Sequence, residues 1–170
     1  MRGQTSWTVI GIIIIIIIAI FGAWWLFWGP GAAPATTSTA NNAADEAAVQ
    51  QTVTSFGSQL QMVSLMASTS IAADAIGQYY GAYVDPTLLQ SWEANPSSAP
   101  GRETSSPWPD HIDITSVVNN PDGSYTVQGS VAEVANGAQG TTTVDSYPVS
   151  LTLTNNGGVW LITNYDRLDK

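Results

Sequence analysis

One histidine, thirteen carboxylates and no cysteine are the material from which any chemistry in this chain must be built. The histidine, His111, stands beside Asp110 and two residues before Asp113. On a strand, His111 and Asp113 share the side opposite Ile112 and Ile114. If the isoleucines face a core, the histidine and the aspartate face water or a partner. A single histidine without cysteine rules out a usual zinc set. Calcium would need the fold to converge Asp110, Asp113, Glu133 and Asp145. The turn Asn119 to Gly123 matches part of a calcium loop but lacks its later glutamate. No GxSxG, Walker or Rossmann glycine pattern is present. We therefore expect no catalytic residue, no metal and no cofactor.

The aromatic residues with polar tips are more informative. Tyr79, Tyr80 and Tyr83 lie on neighbouring turns of one predicted helix, either filling the space between helix and sheet or lining a pocket. Pro96 to Pro109, PSSAPGRETSSPWP, reads as a long irregular loop holding Arg102, Glu103 and Trp108. Loops of that length in compact domains are often functional, although a tryptophan between prolines also serves to plug a core. The candidate pocket or partner surface is thus Tyr80, Trp92, Arg102, Trp108, His111 and Asp113.

The elements that must position these residues begin beyond an apolar stretch. Val9 to Trp28 reads VIGIIIIIIIAIFGAWWLFW without a charge. Twenty helical residues rise about 30 Å, the thickness of a bilayer's hydrocarbon core. Trp24, Trp25, Phe27 and Trp28 suit the headgroup zone. The expected organisation is a cytoplasmic tail at 1–8, a transmembrane helix at 9–28, a flexible linker at 29–42 and an extracytoplasmic domain at 43–170. Arg2 and the amino terminus put the N-terminal end inside. A cleaved signal peptide, with Ala33-Pro34-Ala35 as the small-x-small site, and a pilin-like leader after Arg2-Gly3 are the alternatives. The first is opposed by the length of the run and its terminal tryptophans. The second is opposed by Thr8, where a pilin carries an acid, and by the helix-breaking Gly29-Pro30-Gly31.

All thirteen acids follow the anchor, against Arg102, Arg167 and Lys170, which leaves that part of the chain near −10. Such a surface argues against nucleic acid, whose phosphates need clustered Lys and Arg, and against docking flat on anionic lipid. The linker GPGAAPATTSTANN spans roughly 20 Å as a coil and reaches about 50 Å when stretched. The domain is therefore a tethered head.

Asn42 reads as the cap of a first helix, with Asp45 and Glu46 in its first turn. Val49, Val53, Phe56, Leu60 and Val63 give it one apolar face to about Met66. Flanking Gln, Ser and Thr favour core packing over a coiled coil. A second helix runs from Ile71 to Val84 after Ser68-Thr69-Ser70. A third starts at Asp85-Pro86, carries Leu88, Leu89 and Trp92, and fails at Asn95-Pro96. Four strands follow, with alternation at His111 to Asn119, around Tyr125 to Val131, at Tyr147 to Thr154 and at Val159 to Tyr165. Turns fall at Asn119 to Gly123, Gly137 to Gly140 and Asn155 to Gly158. Pro148 marks an edge or a bulge. The fold class is α+β, about three helices packed on a curved four-stranded antiparallel sheet.

That order resembles the nuclear-transport-factor-two-like (cystatin-like) superfamily. The leading helix, the Tyr79-Tyr80 helix, the short Asp85-Pro86 helix and the closing hairpin NNGGVWLITNYD carry the resemblance. It implies a cone-shaped cavity, used for catalysis by isomerase- and dehydratase-like members through an Asp, Tyr or His. The corresponding candidates are Asp113, His111, Asp110 and Tyr80. The expected function is a non-catalytic binding or assembly module of the cell envelope. It would be held by the bilayer through residues 9–28 and would meet a protein partner or a second copy of itself, not nucleic acid. The alternatives are a small-molecule or isomerase-like cone pocket and a pilin-like subunit.

Overall fold

Five apolar residues seat the first helix. A computed structural model describes residues 37–138 and 140–169, and in it Val49, Val53, Phe56, Leu60 and Val63 are all fully buried. The proposed tail, the 9–28 span and the first part of the linker lie outside the described residues. No helix among the described residues is long and apolar enough to cross a membrane. The chain divides after Ala40, and Asn41–Lys170 is the unit that carries the fold below.

Helix α1 is Thr37–Gln59. It starts earlier than the sequence suggests, so Thr37 to Asn42 are helical rather than linker. Asn42 is not its cap, and Asp45 and Glu46 are not in its first turn. After Pro34 nothing breaks a helix, and Ala40, Ala43, Ala44, Ala47 and Ala48 favour one. The helix also stops sooner, passing through a single tight turn, Leu60–Met62, into extended Val63. Leaving the helix frees the backbone to pair with the later loop. Arg102 N donates to Val63 O at 2.8 Å, and Leu65 N donates to Arg102 O at 2.9 Å.

Helix α2 is Thr69–Tyr80, shorter than the expected 71–84. Past Gly81, Tyr83 O accepts from Ile162 N and Asp85 N donates to Ile162 O, each at 2.9 Å. This clasp covers the edge of the last strand, and a continued helix could not make it. Helix α3 is Pro86–Ala94. Its start follows expectation, with Asp85 Oδ1 accepting from Thr87 N at 2.8 Å and proline in the first turn.

The sheet is an antiparallel meander in the order β1 (Trp108–Asn119), β2 (Tyr125–Gly137), β3 (Gly140–Asn156) and β4 (Val159–Arg167). The α+β class is as expected. Strand β1 begins at Trp108, so the preceding loop is shorter than supposed, and β3 begins at Gly140, well before Tyr147. The last hairpin turns through Gly157 (φ 64°) and Gly158 (φ 94°), the conformation a two-residue primed turn requires. Pro148 sits where β4 ends: Leu168 N donates to Pro148 O at 3.0 Å, and pairing with β4 begins at Val149.

The helices cover one face of the sheet, where Tyr125, Val127, Val131, Tyr147, Val149, Leu151, Leu153, Trp160 and Ile162 are buried. At its centre Phe56, Tyr80, Trp92 and Tyr165 form one aromatic cluster, with ring centroids 4.9 Å apart for Phe56–Tyr80 and 6.0–6.4 Å for the other contacts. Two glycines let α1 and β2 close on β1. A Cβ at Gly57 would stand 2.8 Å from Ile112 N, and one at Gly129 would stand 2.8 Å from Asp113 O. Alanine is the better helix former by about 1 kcal/mol. Even so, Gly57→Ala will lower stability by about 1–3 kcal/mol, because a rigid backbone contact must open. The midpoint of urea unfolding reads this directly, and a gain in stability would show that α1 is not held at that distance.

Candidate functional site

The six residues singled out from the sequence do not meet at one place. Tyr80 is fully buried, and its hydroxyl donates to Pro100 O at 2.7 Å. Burial holds its phenol well above the ordinary value, so it is a neutral donor tying α2 to the segment after α3. Trp92 is buried in the aromatic cluster. Trp108 opens β1 half-buried, with the Arg102 guanidinium 5.6 Å from its ring centroid. It therefore does not plug the core. Arg102 Nε is buried without a hydrogen-bond partner.

His111 and Asp113 turn away from the helices, as the alternation implies. Asp110 joins them because β1 is irregular between Pro109 and His111, leaving Asp110 without a strand partner. His111 Nδ1 lies 2.8 Å from Asp110 Oδ2, and Nε2 lies 3.4 Å from Asp113 Oδ1. These side chains are 43%, 39% and 69% exposed. Both ring nitrogens are engaged by solvated carboxylates at the surface, which leaves no sheltered position for a reacting group. Among the described residues no group of three or more His, Cys, Asp or Glu is placed to hold a metal ion.

A cleft of about 250 Å³ lies elsewhere, against Ser97 to Gly101, Glu103, Tyr147, Tyr165, Asp166 and Arg167. The alternation read from the sequence over Tyr147 to Thr154 includes Tyr147 but singles out neither Tyr165 nor Arg167. Counting by twos from Trp160 and Ile162 turns Asn164 and Asp166 inward. The register instead slips at Thr163: Leu153 opposes Ile162, while Thr152 opposes Asn164. Beyond that bulge Tyr165 and Arg167 stand opposite the buried Leu151 and Val149.

The cleft's polar groups form one connected set. The Arg167 guanidinium lies 3.7 Å from the Tyr147 ring centroid. Its Nε donates to Asp169 Oδ1 at 2.7 Å and one NH2 to Oδ2 at 3.1 Å, and the other NH2 group is 3.8 Å from Glu103 Oε1. The bond to Asp169 is the main reason that Arg167 holds its proton even more firmly than an ordinary arginine. The Tyr165 hydroxyl is buried and has no hydrogen-bond partner of good geometry. Burial pushes its phenol far above the ordinary range, and the neighbouring Tyr147 phenol adds to the rise through its charge and a hydrogen bond. Burial likewise raises Tyr147. Tyr80, Tyr147 and Tyr165 are therefore neutral at physiological pH.

Glu133 opposes Asp145 directly across β2 and β3, a like-charge pair. Desolvation raises the Glu133 carboxyl, with Asp145, Glu103 and Asp169 adding to the rise and Arg167 opposing it.

No protein-family model and no curated protein sequence matches this chain. Among solved structures, a protein of unknown function from Mycobacterium tuberculosis superposes with a TM-score of 0.46 at 11% identity, over 79% of this chain and 76% of its own. A protein from Catenulispora acidiphila gives 0.37 at 17% identity, over 75% of this chain and 94% of its own. Likeness at this level carries no functional reading.

Two stability measurements check the cleft's description. Tyr165→Phe keeps the ring and removes an unsatisfied buried hydroxyl, so it will stabilise the unliganded protein by about 1 kcal/mol. A comparable loss would mean that the hydroxyl has a partner in solution. For Glu133 the folded state holds the proton more tightly than the unfolded chain. Its contribution is therefore most favourable below the ordinary value of 4.5 and declines as pH rises through the raised one. Glu133→Gln will match the parent protein well below that value and exceed it at neutral pH. Parallel unfolding curves across pH would show that Glu133 is not perturbed.

Proposed function

We propose that the chain is a membrane-tethered extracytoplasmic binding module whose working surface is the open cleft end of the domain. The observation that carries this reading is the filled interior. Phe56, Tyr80, Trp92 and Tyr165 occupy the space between helices and sheet, and the Tyr80 hydroxyl there is already bonded to Pro100 O. Polar groups stand instead at the rim, along the cleft. Three helices followed by an antiparallel meander support carrying the resemblance to the nuclear-transport-factor-two-like superfamily into this reading. In that reading the chain uses the shape for binding rather than turnover.

The tether rests on the uncharged run from Val9 to Trp28, and the exposed placement on the acid excess beyond it. A periplasm-active phosphatase fused after Lys170 will be active in intact bacterial cells. The full chain will also stay with the membrane fraction through alkaline carbonate extraction. A fusion active only when exported by an added signal, or a chain released by carbonate, overturns the tethered reading.

A further inference from the structure

Asn-Gly occurs twice in the chain, at Asn136-Gly137 and at Asn156-Gly157. This dipeptide has a chemistry of its own. The backbone nitrogen after an asparagine attacks the side-chain amide carbon and closes a five-membered succinimide. A C–N bond forms, the Cγ–NH2 bond breaks, and the amide nitrogen leaves as ammonia, carrying the proton given up by the backbone nitrogen. Solvent water then opens the ring at either carbonyl, giving aspartate or isoaspartate. Glycine presents its nitrogen with no Cβ in the way. The attack needs an exposed amide, a side chain not held elsewhere, and a backbone N–H committed to no acceptor.

Both asparagines are exposed. They differ in the other two respects. Asn136 Oδ1 accepts from Thr141 Oγ1 at 3.4 Å, and Gly137 is paired with Gly140 inside the β2–β3 ladder. The β3–β4 ladder instead ends with the pair Asn156 and Val159, which leaves Gly157 in the turn. Among the described residues Gly157 N donates to no acceptor, and the Asn156 amide has no hydrogen-bond partner. A Cβ at Gly157 would meet nothing within 4 Å, so the nitrogen stands in open space.

Other candidates are closed. Asn155 Oδ1 is held by Gly158 N at 2.8 Å. Asn95 and Asn120 precede prolines, which have no N–H. Asp122-Gly123 would close the same ring only from a protonated carboxyl, with water leaving. The Ser124 hydroxyl, at 2.7 Å, and then its backbone N–H, at 3.0 Å, hold that carboxyl below its ordinary value and keep it ionised.

We propose that Asn156 converts spontaneously to aspartate and isoaspartate through a succinimide with Gly157, while Asn136, in the same dipeptide, is spared. Either product adds a carboxylate to an already acidic chain, and isoaspartate also adds one methylene to the backbone. The neighbouring pair is Asn155 with Trp160, whose ring packs on Tyr125 with centroids 5.1 Å apart. The modified backbone thus borders the core. The inference is independent of the binding-module reading.

The full chain in non-ionic detergent is held in mildly alkaline buffer made with heavy-oxygen water. Its peptides are then mapped by mass spectrometry, with fragmentation that separates aspartate from isoaspartate. Asn156 will lose its amide at least about tenfold faster than Asn136, because opening a ladder pair costs free energy that an N–H already free does not. Its products will each carry one heavy oxygen and will include isoaspartate. In urea, where the ladder is gone, the two sites will react at comparable rates. Asn156→Gln, which would need a six-membered ring, will leave the hairpin unmodified over the same period. Equal loss at both sites in the folded chain, retention of both, or aspartate at position 156 without isoaspartate overturns the proposal. So does conversion of the hairpin that persists in Asn156→Gln. A difference that survives in urea belongs to the flanking sequence and overturns the protection assigned to the ladder.

Discussion

The seating of α1 on the sheet is the contact from which the rest of the structure hangs. Val49, Val53, Phe56, Leu60 and Val63 are without polar side-chain atoms, so the contact is driven by removing apolar surface from water. Each fully buried side chain of this kind is worth on the order of 1.5–3 kcal/mol. No disulfide supplements that term, because the chain has no cysteine. The close approach depends on what is missing at Gly57 and Gly129, where any side chain would strike β1 at Ile112 or Asp113. With Ile112 held inward, His111 and Asp113 are obliged to face out. The same contact that builds the core therefore takes the only histidine away from it.

Three short-range clasps then fix the periphery. Tyr83 and Asp85 grip Ile162, Val63 and Leu65 grip Arg102, and the Tyr80 hydroxyl grips Pro100. Each satisfies backbone groups that would otherwise be left unpaired where a helix ends or a loop passes over apolar surface. Together the second and third clasps hold the C-terminal end of Ser97 to Gly101, which forms one wall of the cleft. A wall held from the core on one side and facing strand residues on the other is a stable frame for recognition. Nothing in it requires a moving lid.

Electrostatics separates this cleft from the rest of an acidic surface. Exposed carboxylates elsewhere are screened by water and salt. Glu133, opposed by Asp145 and partly desolvated, is not relieved in that way. Arg167 is shared there between Asp169 and Glu103.

The residue pattern alone carries the fold class, the helix stripe, the Asp85-Pro86 start and the three hairpin turns. These are local: a stripe repeats with the helical period, a cap needs one side chain, and a primed turn needs glycine where φ is positive. It also placed His111 and Asp113 outside, because that stretch keeps an unbroken period of two. Tertiary structure decided the helix ends, which yielded to backbone partners far away in the chain. Only tertiary structure decided the cleft. A bulge at Thr163 inverts the inward and outward sets beyond it, so Tyr165 and Arg167 reach a face that counting by twos assigns to Asn164 and Asp166. An extra residue in one strand is defined only by the strand opposite, so the pattern of β4 alone does not carry that information.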